Sequence, residues 1–306
     1  MKIDVIIPTY GPKKKALELL LERLEFQTFP IHKIIIMNTE AEGFPKDLEQ
    51  KYPNLEIFHI KKADFDHGGT RNLGAEKSHA DYMMFMTQDA LPADASLVKR
   101  LADSFQDRRV KAAYARQLPR KGCGELECYT RKFNYPEESR IKTKEDLGLL
   151  GIKTFFCSNV CAMYERETYE ELGGFIRHTI FNEDMIYAGG LIQKGYAVAY
   201  VAEARVYHSH HYNGIQQFRR NFDLAVSQAD HPEVFSQTAS ESEGIRLVKR
   251  TAAHCMKIKK PWLIFSLVFS SGCKYIGYRL GKNYKKLPRR VILACTGDRS
   301  YWEQTK

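Results

Sequence analysis

The first ninety residues alternate short, unbroken apolar runs with helical repeats, and no other feature limits the fold as strongly. Ile3 to Pro8, Ile34 to Met37, Leu55 to Ile60 and Tyr82 to Met86 are the apolar runs. Strands buried on both faces read as continuous rather than alternating apolar sequence. Between the first two, Ala16, Leu17, Leu20, Leu21 and Leu24 recur at helical spacing, and a second helix is predicted from Thr70 to about Ser78. This β-α-β-α order implies a parallel sheet covered by helices. In such sheets ligands bind outside the carboxyl ends of the strands. Each run ends in polar residues that could serve there: Thr9, Asn38, Asp64 or Asp66, and Thr87-Gln88-Asp89.

A dinucleotide fold would place G-x-G-x-x-G directly after the first strand. That position reads Thr9-Tyr10-Gly11-Pro12-Lys13-Lys14, with a single glycine and a proline, so a dehydrogenase is disfavoured. Gly68-Gly69-Thr70-Arg71-Asn72 is the better phosphate contact, because small residues let backbone amides approach and Arg71 supplies a fork of donors. A helix cap with a solvent-facing arginine is the competing reading. Net charge of +10 calls for an anionic partner: nucleic acid, phosphorylated substrate or membrane surface. The seven cysteines are scattered without a C-x-x-C pair, and are read as reduced, mostly buried thiols. Met1-Lys2-Ile3-Asp4 leads straight into a strand, without the apolar segment of a signal peptide, so a cytoplasmic chain is expected.

From Val110 to Gly151 the pattern weakens, with bases and aromatics mixed around Arg116 and Arg131. Thr154 to Tyr164 reads as a β segment containing Ser158 and Asn159. Glu183-Asp184 then open a helix that reaches Lys194-Gly195, where carboxylates suit the unpaired amides of a helix start. Tyr196 to Val201 and Arg205 to His208 read as two strands. His208, His210 and His211 follow within four residues, and such clustering favours metal or proton chemistry. Residues 213–306 read as helical. Pro261 to Phe269 is the most apolar window but falls short of the roughly 20 residues of a spanning helix. Lys257, Lys259 and Lys260 precede it, and Lys274, Arg279, Lys282, Lys285, Lys286, Arg289 and Arg290 follow. That arrangement suits an interfacial hairpin on anionic lipid, each base contributing about 1 kcal/mol. A helix packed on the catalytic domain is the alternative. Bases gathered around an apolar segment favour lipid over nucleic acid.

Ile6-Ile7-Pro8-Thr9-Tyr10, the Gly69-x-Arg71-Asn72-x-Gly74-Ala75 block, the strand ending in Asp89, Gly173-Gly174-Phe175, and Glu183-Asp184 followed by Lys194-Gly195-Tyr196 together resemble the inverting family 2 glycosyltransferases of GT-A fold. The resemblance covers residues 3 to about 212. Phe65 to Asn72, Thr87-Gln88-Asp89-Ala90 and the terminal Tyr278 to Gly281 with Lys285 to Pro288 look like bacterial rhamnosyltransferases of polysaccharide assembly. The resemblance implies an α/β fold with a mixed sheet flanked by helices, a catalytic domain over 1–212, and a helical, membrane-associating extension over 213–306. It implies metal-dependent transfer of L-rhamnose from dTDP-β-L-rhamnose to a polyprenyl-diphosphate-linked glycan, at the inner face of the bacterial plasma membrane. The same chemistry with a UDP-hexose or UDP-N-acetylhexosamine is the alternative. Homo-oligomers are compatible with it.

Residue by residue, the resemblance makes Asp184 the general base that takes the acceptor's hydroxyl proton. Asp89 matches the last aspartate of D-x-D, and with His208 would hold Mg²⁺ or Mn²⁺ on the donor diphosphate. Thr9, Tyr10, Asn38, His67, Gly68, Arg71, Asn72 and Gln88 fall at donor-binding positions, and Arg116, Ser158, Asn159 and Glu183 near the acceptor. His210 and His211 keep the ordinary reading of exposed histidines. The chain departs from the family pattern in three places. Thr87 replaces the first aspartate of D-x-D, which implies looser, partly water-mediated ligation. Asn38 stands for the usual base-contacting aspartate. Gly190 stands where an arginine often follows the acidic pair.

Overall fold

The computed structural model describes residues 1–45, 47–210, 212–236 and 241–304, with backbone alone for 241–243 and 304. Nine strands are present among them: β1 (Ile3–Tyr10), β2 (Lys33–Thr39), β3 (Leu55–Ile60), β4 (Tyr82–Met86), β5 (Leu91–Pro92), β6 (Val110–Leu118), β7 (Arg140–Lys142), β8 (Cys161–Glu165) and β9 (Ala197–Tyr207). They form one sheet in the order β3-β2-β1-β4-β8-β6-β9-β5, with β7 also paired to β9. The first four are parallel, as the alternation predicts. β8 enters antiparallel between β4 and β6, while β9 runs parallel to β6. The sheet is therefore mixed, as the resemblance implies. β1 lies between β2 and β4, so the chain reverses its direction of travel across the sheet there. The carboxyl ends of β1 and β4 border the crevice that such a switch point opens.

Around the sheet lie α1 (Lys14–Glu25), α2 (Leu48–Lys51), α3 (His67–Lys77), α4 (Leu97–Asp103), α5 (Glu125–Asn134), α6 (Leu147–Leu150), α7 (Arg166–Glu171) and α8 (Glu183–Gln193). Alternate residues of β1 serve the two faces. Val5 and Ile7 pack in a core with Leu17, Leu20, Leu21 and Leu24 of α1, whereas Ile6 joins Phe85, Tyr164, Phe175 and Tyr187 on the other side.

The structure corrects several local expectations. α3 starts at His67, three residues early, because the Asp66 carboxylate caps it by accepting the Gly69 N–H. The weak stretch after Val110 contains β6, whose alanines disguise a buried strand and whose Lys111 is neutralised by Glu165 at 2.6 Å. Of the segment Thr154 to Tyr164 only Cys161 to Tyr164 is strand, in β8; the residues before it are the end of a 3-10 turn and a loop, since Phe155 turns into the second core instead of extending a strand. Ala197 to Tyr207 is one strand with a register shift near Arg116, not two. Cys123 and Cys128 form a disulfide: the start of α5 brings their Cα atoms to 6.3 Å, and the other five thiols are free.

The C-terminal layer comprises α9 (Gly214–Asp230), α10 (Pro232–Phe235), α11 (Glu241–Lys257), α12 (Leu263–Lys282), α13 (Arg289–Cys295) and α14 (Arg299–Gln304). α12 lies against α9 at very close range. A Cβ on Gly277 or Gly281 would overlap the carbonyl oxygens of Phe218 and Phe222. Asp223 of α9 ties down the last segment by accepting from Thr296 Oγ1 at 2.6 Å and Gly297 N at 2.8 Å. The opposite side of α12 leaves Phe265, Val268, Phe269 and Ile276 exposed, Phe265 by 82%. α12 thus packs on the protein with one side and shows an apolar stripe with the other. Among the described residues, no helix is long and apolar enough to cross a membrane.

Candidate active site

Asn182 opens α8 in the left-handed region, at φ 66°, a conformation that asparagine tolerates better than most residues. Its Nδ2 donates to Leu224 O of α9 at 3.3 Å, which holds the turn. The turn presents Glu183 and Asp184 side by side. Glu183 pairs with Arg71 of α3 at 3.1 Å, with only 9% and 7% of the two side chains exposed. It also accepts from Asn159 Nδ2 at 3.2 Å. Asp184 accepts the backbone N–H of Asn159 at 2.9 Å and that of Met185 at 2.8 Å. Burial does most to raise the pKa of Asp184, and the adjacent Glu183 charge raises it further, well above the usual carboxylate range. Glu183 moves the other way: burial opposes its ionisation, but Arg71 and His67 hold it charged. One carboxylate is thus kept ionised so that its neighbour binds a proton near neutral pH.

A second cluster lies at the end of β4. Asp89 Oδ2 is 3.4 Å from His208 Nε2 and 3.3 Å from His210 Nε2. One ligand atom from each of the three residues lies within 4.8 Å of the others. Partial burial opposes ionisation of Asp89, but hydrogen bonding and charge from His208, with Thr87, hold its carboxyl far below the usual range. Burial and the neighbouring His208 lower His210 to about 4, favouring the neutral ring. His208 Nδ1 meets Gln117 Oε1 at 3.0 Å, and Arg131 donates to the same oxygen. That oxygen can only accept, so Nδ1 carries a proton, and the neutral ring a cation would bind therefore presents its lone pair at Nε2, toward Asp89. A divalent cation fits this donor set.

The two clusters are connected. Gln117 Nε2 donates to Ser158 Oγ at 3.0 Å, and the next residue, Asn159, holds both members of the acidic pair. Tyr164 OH donates to Asn159 Oδ1 at 2.9 Å and completes its amide.

Residues 4–173 match the sequence model of glycosyl transferase family 2. The chain belongs to glycosyl transferase family 2. It is 40% identical to the "O-antigen chain rhamnosyltransferase RfbN" of Salmonella typhimurium, over 99% of this chain and 96% of that protein. To the "O-antigen chain rhamnosyltransferase WbaN" of Salmonella anatum it is 36% identical, over 97% and 95%. Its fold is similar to that of S. aureus TarS 1-349, with a TM-score of 0.57 at 14% identity over 94% and 91% of the two chains. The mannosyltransferase PcManGT from Pyrobaculum calidifontis, solved with GDP-Man and Mn²⁺, gives 0.61 at 14% identity over 94% and 88%. These likenesses identify the GT-A fold.

In this glycosyl transferase the expected donor residues divide into two groups. Tyr10 and Gln88 face each other across the β1–β4 crevice, with Tyr10 N–H donating to Gln88 Oε1 at 3.0 Å and Gln88 Nε2 donating back to Tyr10 O at 3.2 Å. Thr9 Oγ1 donates to Asn38 Oδ1 at 2.8 Å, and Asn38 Nδ2 contacts Glu40 O and His59, so this buried pair organises the ends of β1 and β2. The others hold the scaffold. Asn72 Oδ1 accepts from Phe175 N and Tyr169 OH while Nδ2 donates to Phe175 O, which makes it a tether for the loop before α8. Gly68 must lack a Cβ because one would overlap Ile176 O of that loop. Arg71 is neither solvent-facing nor an open fork: besides Glu183, it donates to His67 O at 2.8 Å. Burial pushes His67 toward its neutral form against the pull of Glu183. Arg116 pairs with Glu137 at 2.7 Å, outside the bonded chain that joins the two clusters.

Sequence reasoning missed Gln117, Arg131 and His210. Gln117 and Arg131 lay in the stretch without a readable pattern. The signal for His210 was its spacing, since residues two apart on an extended segment can share a side. His211 lies outside the described residues.

Proposed function

We propose that this family 2 glycosyl transferase moves L-rhamnose from dTDP-β-L-rhamnose to a saccharide hydroxyl of a polyprenyl-diphosphate-linked glycan in cell-surface polysaccharide assembly. The observation that carries the chemistry is the Asp184 carboxylate, raised by burial and Glu183 and fixed by two backbone amides. A base whose proton affinity lies near the working pH is the most effective kind. Asp184 accepts the proton of the acceptor hydroxyl as that oxygen bonds to the anomeric carbon. The carbon's bond to the donor diphosphate breaks on the opposite side, giving inversion. Asp89 and His208 would hold the divalent cation, which when bound offsets negative charge on the departing diphosphate. Tyr10 and Gln88 line the donor crevice. The names of the Salmonella relatives support the choice of rhamnose and of a glycan acceptor.

Docking at the inner face of the plasma membrane belongs to the same reading. The exposed Trp262, Phe265, Val268 and Phe269 adjoin Lys257, Lys259 and Lys260, an arrangement that suits an anionic bilayer surface. Such docking would bring the enzyme to the carrier lipid.

Asp184→Asn tests the proposal. Loss of the base is expected to lower turnover by about 10²–10⁴-fold, with dTDP-rhamnose affinity in calorimetry nearly unchanged. Wild-type turnover in the variant would refute the base assignment. Transfer from a UDP-sugar but not from dTDP-rhamnose would refute the donor.

A further inference from the structure

Mg²⁺ takes oxygen ligands in near-ideal octahedral geometry and keeps several waters, whereas imidazole suits first-row transition ions. The donor set at the end of β4 is not one designed for Mg²⁺. Thr87 leaves Asp89 as the one carboxylate of the motif, and two imidazole nitrogens accompany it. His208 is held with Nε2 toward Asp89 by the Gln117 bond at its other nitrogen. His210 is oriented as well. Its ring stands at 90° to that of His208, 4.5 Å between centroids, and stacks on Tyr212 at 5.1 Å. The Arg220 guanidinium lies 5.6 Å from the Tyr212 ring on α9's side. Both imidazoles therefore reach the carboxylate from supported positions, and the second nitrogen occupies the role of the absent carboxylate.

We propose that His210 is a third protein ligand of the cation and that the resulting one-carboxylate, two-imidazole centre selects Mn²⁺ over Mg²⁺. The proposal rests on the reading of Asp89 and His208 as cation ligands. Replacing an oxygen donor by a nitrogen lowers the site's negative charge and raises its preference for ions later in the Irving–Williams order. His210 then sets the ion preference that the family motif leaves undetermined.

The test titrates the full-length protein with Mn²⁺, followed by electron paramagnetic resonance with Mg²⁺ as competitor, in the wild type and in Asp89→Ala, His210→Ala and His210→Asp. Thermal melts confirm that each variant is folded. Pulsed resonance on the Mn²⁺-loaded protein counts the coordinated ¹⁴N nuclei. The expected result is two nitrogens in the wild type and one in His210→Ala. Mn²⁺ affinity is expected to fall in His210→Ala by at least the roughly 10–100-fold seen for losing an outer-shell partner. His210→Asp should bring the Mn²⁺ to Mg²⁺ affinity ratio down toward one. If Asp89→Ala abolishes binding while His210→Ala keeps both the nitrogen count and the ion ratio, the role of His210 is refuted and the centre itself stands. If the wild type binds neither ion and Asp89→Ala changes nothing, the centre falls, and the role of His210 with it.

Discussion

Glu183→Gln separates the two effects that Glu183 has on its neighbours. The substitution removes a charge but keeps a carbonyl acceptor in place. Arg71 then loses the carboxylate 3.1 Å away in a setting where both side chains are under a tenth exposed. Removing one partner of a buried pair costs about 3–5 kcal/mol, and the retained amide oxygen places this case near 3. At about 2–4 °C per kcal/mol for a domain of this size, the melting temperature should fall by about 6–12 °C. Asp184 supplies the opposing effect. Its folded value, raised from 3.8 to about 7, exceeds its unfolded value, so its ionisation destabilises the fold increasingly as pH rises through that window. Part of that cost is repulsion by Glu183, which the variant lacks, and the Arg71 charge now lowers Asp184 unopposed. The melting deficit should be full near pH 5 and smaller at pH 8.5. The acid limb of the kcat/KM profile for sugar transfer should move down from about 7 toward the ordinary carboxylate range. A deficit equal at both pH values, or an acid limb that stays or rises, would refute the division of roles between Glu183 and Asp184.

Gln117→Leu should weaken Mn²⁺ binding by about 10–100-fold in the same resonance titration, because it frees His208 to change tautomer. Gly281→Val would force a side chain into Phe222 O, lower stability by about 1–3 kcal/mol or more, and raise amide exchange at residues 179–184. Trp262→Ser with Phe265→Ser and Phe269→Ser should abolish flotation with anionic liposomes and leave transfer to a water-soluble acceptor intact. Equal recovery of both proteins with the liposomes would refute the role of the stripe in docking, and recovery of the wild type in the soluble fraction with and without anionic lipid would remove the membrane role.

The N-terminal half of the sheet is legible in the sequence because Ile34–Met37 and Met83–Met86 are buried on both faces and read as unbroken apolar runs. β6 is not, because Lys111 and Arg116 break the run and their neutralisation by Glu165 and Glu137 comes from distant sequence. The same limit governs the site. Asp89, Glu183 and Asp184 stand at element ends where a motif can be read. The pairing of Arg71 with Glu183 joins residues more than a hundred positions apart, and no local pattern records it. His210 shows a further limit: its spacing was visible, but only the end of β9 places it beside Asp89.

α9 occupies the middle of a stack. On one side its Ser227 Oγ donates to Phe181 O at 2.6 Å and its Leu224 carbonyl receives Asn182, so it seats the turn that carries Glu183 and Asp184. On the other, α12 lies against it through Gly277 and Gly281. The turn bearing Asp184, the proposed base, and the apolar stripe are thus mounted on opposite faces of a single helix. A chimera cut at residue 212 would exchange the mounting of the Asp184 turn together with the tail. Grafts that aim to retarget such an enzyme to another surface should therefore carry α9 with the catalytic half and make the exchange beyond it.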